Sequence, residues 1–195
     1  MAYSVIVVSL AVLLLAAAVA YPYISGMVMK SAMLRALRVT ARKAGFRCRR
    51  SFKNIFLVRN RSARYDMVIY NEKKLYAVKL WSSYFSYNML HVMRDGRIKE
   101  RRRTRSVFKM SDNDTVYTGG FAQRVPKTRL AKKYAKGREV VERILLIYPS
   151  YERIAAESGK GLVTLKTGDE LFGKIIYSPS AFMNKLKADG DKETK

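Results

Sequence analysis

From Met1 to Met29 the chain carries no charged side chain, and "VIVVSLAVLLLAAAVA" (Val5 to Ala20) is almost wholly apolar. A run of about 20 such residues is long enough to cross the hydrocarbon core of a bilayer. Tyr3 at one end and Tyr21 and Tyr23 at the other suit the two interfaces. Residues 1–29 are therefore expected to form a transmembrane anchor. A cleaved signal peptide is the rival reading. "AVA" (Ala18 to Ala20) before Tyr21 has the small-x-small form of a cleavage site, and cutting there would release a secreted basic protein. The segment lacks a positive n-region, however, and strongly basic sequence follows it; both favour an uncleaved anchor.

The charge balance then fixes an expected orientation. Lys30, Arg35, Arg38, Arg42, Lys43, Arg47, Arg49 and Arg50 follow the apolar run, while its N-terminal flank has only the α-amino group. By the positive-inside rule the body of a single-pass protein with this asymmetry faces the cytoplasm. A juxtamembrane basic cluster also gains roughly 1 kcal/mol per residue near an anionic leaflet. Over the whole chain, 39 Lys+Arg against 15 Asp+Glu give a net charge of +24, which predicts attraction to nucleic acid, anionic lipid or an acidic partner. One cysteine, Cys48, excludes an internal disulfide. With His91 as the one histidine, a structural zinc site of four N/S ligands is not expected.

Residues 30–187 read as one α/β domain, and 188–195, "ADGDKETK", as a frayed tail. "KSAMLRALRVTARKAG" (30–45) sets Met33, Leu34, Leu37, Val39 and Ala41 against arginines and a lysine, a basic amphipathic helix ended by Gly45. "NIFLVRN" (54–60) is expected to be a strand, and "YDMVIY" (65–70) and "KLYAVKLW" (74–81) a hairpin. Asp95-Gly96 marks a turn between two more strands. "PKTRLAKKYAKGREVVE" (126–142) reads as helical from Pro126. "RILLIYP" (143–149) has the unbroken apolar character of a strand buried on both faces. "LVTLKTGDEL" (162–171) reads as a strand leading into Gly168-Asp169, and "SPSAFMNKLK" (178–187) as a closing helix capped by Ser178 or Ser180.

This order, with an Asp in one strand of the hairpin and an apolar-x-Lys end to the next, resembles the core of the PD-(D/E)XK nuclease superfamily. That superfamily includes membrane-attached members such as the nuclease-related domain. "YDMVI" is similar to the strand carrying the family's first metal-binding acid, and "LYAVKLW" to its "(D/E)-x-Lys" strand. The resemblance covers about residues 30–150, with extension to 187. It implies a restriction-endonuclease-like mixed sheet with flanking helices, with Asp66 as a metal ligand and Lys79 as the lysine that orients water or steadies the pentacovalent state. Such hydrolysis needs a divalent ion, Mg²⁺, held by two or more carboxylates. The triplet here reads Ala77-Val78-Lys79, so the second carboxylate is missing. The helix at 30–45 supplies no acid, and Glu72 lies in the turn, expected to point away. The expectation is thus a non-catalytic nuclease-like domain without cofactor, binding nucleic acid or anionic lipid or serving as a scaffold. A membrane-tethered Mg²⁺-dependent nuclease with a rearranged site is the alternative.

Two basic patches are candidates for the anionic contact. One is the "RDGRIKERRRTR" run with Arg94, Arg97, Lys99, Arg101, Arg102, Arg103 and Arg105; the other holds Lys127, Arg129, Lys132 and Lys133. Tyr134 in the second could stack on a base, although a helical tyrosine more often packs against its neighbours. Tyr84, Phe85 and Tyr87 read as core or sheet face, and His91 as structural. Cys48 between two arginines is a candidate for a lowered pKa, without the partners of a thiol mechanism.

Overall fold

The computed structural model describes residues 2–50, 65–82, 88–94, 98–102, 114–117, 134–138, 140–148, 153–159, 161–171 and 173–191. Its first element, α1, is one unbroken helix, Ala2–Lys43. The apolar run and the basic amphipathic segment are therefore parts of a single rod, which ends at Gly45 with φ +79°, a conformation glycine adopts without strain. Side chains from Ile6 to Val19 are exposed, and this helix is long and apolar enough to span a membrane. At about 1.5 Å per residue, residues 2–21 cover roughly 30 Å, the thickness of a hydrocarbon core. Burial begins beyond that length, at Gly26 and Lys30. From Lys30 the helix buries Leu34, Leu37 and Ala41, spaced to share one face.

The remaining described residues form two mixed sheets. The strands are β1 (Arg47–Arg50), β2 (Met67–Tyr70), β3 (Lys74–Ser82), β4 (Asn88–Val92), β5 (Ile98–Arg102), β6 (Asp114–Tyr117), β7 (Val140–Tyr148), β8 (Arg153–Ser158), β9 (Gly161–Thr164), β10 (Glu170–Leu171) and β11 (Lys174–Tyr177), followed by the helix α2 (Pro179–Asp191). The larger sheet has the order β1-β2-β3-β7-β11-β10 and the smaller one β6-β5-β4-β8-β9. β1, β2 and β3 are antiparallel neighbours. β7 then runs parallel to β3 along its whole length, from Lys74↔Val140 to Ser82↔Tyr148, and β11 runs parallel to β7.

Alternation along β3 and β7 makes the layers. Tyr76, Val78 and Leu80 with Ile144 and Leu146 face Leu34, Leu37 and Ala41 of α1 and Phe182 and Leu186 of α2. The intervening Trp81, Leu145 and Ile147 face Leu90 and Val92 of the smaller sheet. The central sheet is thus covered by helices on one side and by the second sheet on the other, and Ile144–Ile147 of β7 are buried on both faces as their apolar run implies.

Several expectations change. The first strand observed is the basic tetrapeptide Arg47–Arg50, an edge strand in which Cys48 alone contributes to the core; residues 54–60 lie outside the described residues. Val140 to Glu142 belong to β7 and not to a helix, because they pair with Lys74, Leu75 and Tyr76. Leu162–Leu171 is a strand end, a turn at Gly168 and the two-residue β10. α2 continues to Asp191, past the expected start of a tail, with Ser178 accepting the Ala181 N–H at 3.3 Å as its cap.

Candidate functional site

Asp66 sits in the bend just before β2. Its N–H donates to the Val78 carbonyl at 2.9 Å, and its Oδ2 accepts the Leu80 N–H at 2.8 Å. The carboxylate thus prolongs the ladder for one residue beyond the end of β2, which fixes it in the sheet. Lys79, between those two residues of β3, places Nζ 3.5 Å from the same Oδ2. The sequence pair is therefore brought together, and both side chains are buried.

The third member comes from α1. Lys30 puts its ammonium 2.8 Å from Asp66 Oδ1, at 4% side-chain exposure. Arg50 flanks it, donating to Ser31 Oγ at 3.1 Å. Burial depresses the Arg50 pKa, Asp66 opposes this, and Arg35 and Arg38 reinforce it. Lys174 of β11 is buried too; burial first and then the Arg143 guanidinium lower its pKa. Lys79 registers the whole environment: burial lowers its pKa from 10.5 to about 8, the Asp66 carboxylate opposes the fall, and Lys30 and Lys174 deepen it.

Two ammonium groups on one carboxylate make a poor cation site. Among the described residues no group of three His, Cys, Asp or Glu side chains converges. Ala77, at the position of the absent acid, is packed with Tyr65, Val68 and Leu75. Glu72 is exposed in the turn at the opposite end of β2. A Mg²⁺ ion demands several oxygen ligands in near-octahedral array, and Lys30 already neutralises the carboxylate oxygen it would need. The residues present do not fit a divalent metal.

Lys30 was hidden in the sequence among the topology-setting charges. Its signal was spacing: 30, 34, 37 and 41 share one helical face, so a lysine heads an otherwise apolar core stripe. Of the basic-patch residues, Arg94 is exposed, and its N–H donates to Glu157 Oε2 at 2.9 Å. Lys99, Arg101 and Arg102 lie on β5, with side chains outside the described set. Arg97, Arg103, Arg105, Lys127, Arg129, Lys132 and Lys133 lie outside the described residues, as do Tyr84, Phe85 and Tyr87. Tyr134 stacks on Tyr70 with centroids 4.5 Å apart, and Arg138 lies 4.9 Å from the centre of the Tyr70 ring, so its face packs within the fold. His91 contacts Glu157 at 3.1 Å. Cys48 reverses its expectation: burial pushes the thiol up to about 11 despite Arg38 and Arg42.

Comparison with known proteins finds no matching family model, no matching curated protein and no matching solved structure.

Proposed function

We propose that the chain is a single-pass membrane protein whose cytoplasmic domain keeps a PD-(D/E)XK-like arrangement and binds an anionic partner without hydrolysing it. The observation that carries this reading is the Lys30–Asp66–Lys79 cluster, in which an ammonium group takes the carboxylate oxygen that a catalytic metal would require. The order of a helix, three antiparallel strands and a parallel fourth strand supports the resemblance. So does the contact between the two motif residues. The net charge of +24 supports an anionic partner, and the exposed apolar half of α1 supports the anchor.

The test is an incubation of the full chain in detergent with DNA or RNA and Mg²⁺ or Mn²⁺, alongside a binding titration at rising salt. Binding that weakens steeply with salt and leaves the strand intact is the expected result. Metal-dependent cleavage that disappears in Lys79→Ala would replace this reading with that of a working nuclease. The proximity of Asp66 and Lys79 is what favours that second reading.

A further inference from the structure

We propose that the pocket at the carboxyl ends of β7 and β11 receives the phosphoryl headgroup of an anionic phospholipid, a reading that rests on α1 being a membrane anchor. The strand directions locate the pocket. Lys30 meets Asp66 beside Leu80, and Ser31 meets Arg50, so the end of the sheet holding Arg50 and Leu80 lies where α1 passes into the domain. At the opposite end, Gly190 approaches Ala44, just past the far end of α1. β3, β7 and β11 are mutually parallel and run toward the first of these ends. Their carboxyl termini therefore face the side from which the exposed apolar length of α1 projects. In open α/β sheets this is also the edge where ligand crevices form.

The pocket found there has the composition that a lipid headgroup needs. Its volume is about 200 Å³, and Ile147 and Ile176 supply an apolar wall. That is smaller than the roughly 300 Å³ at which pockets for whole drug-sized molecules begin, and it suits a headgroup with its chains left outside. Arg153 and Lys166 bring two positive charges, and Thr164 and Ser178 two hydroxyl groups; among the described lining residues none is acidic. Arg153 is oriented by donation from Nε to Thr164 Oγ1 at 3.0 Å. A guanidinium fork held in this way presents its remaining N–H groups in the geometry that phosphate oxygens accept. The nearby carboxylate of Asp169 accepts the backbone N–H of Lys166 at 2.7 Å, so it is engaged in the turn. Ser178 caps α2, whose N-terminal dipole adds to the same positive field.

The experiment uses the full chain in detergent and reads the fluorescence of Trp81, the one tryptophan, which shares a cluster with Ile147 and Ile176. Dihexanoyl phosphatidate, dihexanoyl phosphatidylcholine and inorganic phosphate are titrated separately. A saturable change with the phosphatidate, weaker by about tenfold in Arg153→Glu and in Lys166→Glu, is the expected result. Lys73→Glu is the control, because Lys73 lines the larger pocket at the far end of the sheet and should leave the titration unchanged. An equal response to inorganic phosphate would make this a site for a soluble anion and overturn the lipid assignment. Equal losses in Lys73→Glu would assign the binding to overall basicity, and the absence of a saturable response would remove the site. Extraction of membranes with alkaline carbonate tests the anchor separately. A chain that is stripped off yet still binds the phosphatidate keeps the headgroup site and loses the anchor.

Discussion

Two lysine–aspartate–lysine groups stand at opposite ends of the central sheet, and they behave differently. Near the exposed half of α1, Asp66 lies between Lys30 and Lys79, with side-chain exposures of 4% or less. At the far end, Asp189 of α2 lies between Lys74 at 3.0 Å and Lys185 at 3.3 Å, with exposures of 14–26%. There the Tyr76 hydroxyl also donates to the carboxylate at 2.6 Å, and Lys185 reaches Glu142 at 3.4 Å. The far group satisfies its charges. Burial raises the Asp189 pKa, but donation from Tyr76 and Lys74 outweighs this and holds it below its ordinary value; burial likewise opposes the rise that Glu142 and Asp189 produce at Lys185. In the near group, burial wins at Lys79. The same lysine–aspartate–lysine core thus yields a part-exposed clasp in one place, helped by Tyr76 and Glu142, and a desolvated centre in the other.

The largest test of that contrast is Asp66→Asn. It leaves two buried ammonium groups facing a neutral amide, and removing one partner of a buried charge cluster costs about 3–5 kcal/mol. Urea unfolding of the full chain, followed by Trp81 fluorescence, should register a loss of that size. A loss below about 1 kcal/mol would mean that water reaches the cluster, and the two groups would then be alike.

The next effect is read in pH. Lys79 has a folded pKa of about 8 against 10.5 in the open chain, so between these values the folded state binds fewer protons than the unfolded one. Stability therefore rises with pH across this window, by at most about 3 kcal/mol, and Lys79→Met should remove the rise. Cys48 acts in the opposite sense, because its thiol stays protonated up to about 11 in the fold against 9.0 outside it. Its contribution is lost as pH climbs through 9–11, so Cys48→Ala should extend the rising limb. Denaturation midpoints from pH 7.5 to 10.5, at constant ionic strength, separate the two.

How much of this was legible depended on whether the local pattern carried the information. β7 could be read because Ile144 to Ile147 are buried on both faces and form an unbroken apolar run. The β2–β3 hairpin could be read from two apolar runs flanking a short polar turn, and with it the closeness of Asp66 and Lys79. β1 could not, since Arg47–Arg50 is an edge strand whose outward arginines dominate its composition. The smaller sheet was legible in part: the Asp95-Gly96 signal pointed to the β4–β5 hairpin, whereas β8, which buries only Ala155 fully, gave no local pattern. Lys30 lay beyond local reading because its partner is 36 residues away, although the apolar stripe it heads pointed inward.

Gly190 extends this lesson and supplies a smaller test. In "ADGDK" it falls in the stretch expected to be a frayed tail, yet it lies inside α2, where a Cβ would collide with the backbone carbonyl of Ala44. Glycine is kept here for a close approach of the two helix ends, at some cost in helix propensity. Gly190→Ala should therefore destabilise by about 1–3 kcal/mol despite its better propensity, because backbone must move to admit the methyl group. A neutral or stabilising result would show that the ends of α1 and α2 separate easily, and that Asp189 is then not fixed for its role in the far group.

The smallest effect belongs to the far group itself. Asp189→Asn removes the carboxylate between Lys74 and Lys185, but both lysines keep contact with water, and Lys185 retains Glu142. Asp189 also lies in the last turn of α2, where a negative charge is disfavoured by the helix dipole, so its loss relieves one unfavourable interaction. The net change should be about 1 kcal/mol or less, and smaller again at molar salt, where charges separated by more than about 3 Å are screened. Asp66→Asn should be nearly unaffected by the same salt, since its partners are enclosed by protein. Parallel unfolding curves of the two variants at low and high salt therefore measure the same chemical deletion in two dielectric settings. If both losses shrink equally with salt, the enclosure of the Asp66 group is wrong, and the case for a metal-excluding ammonium at Lys30 falls with it.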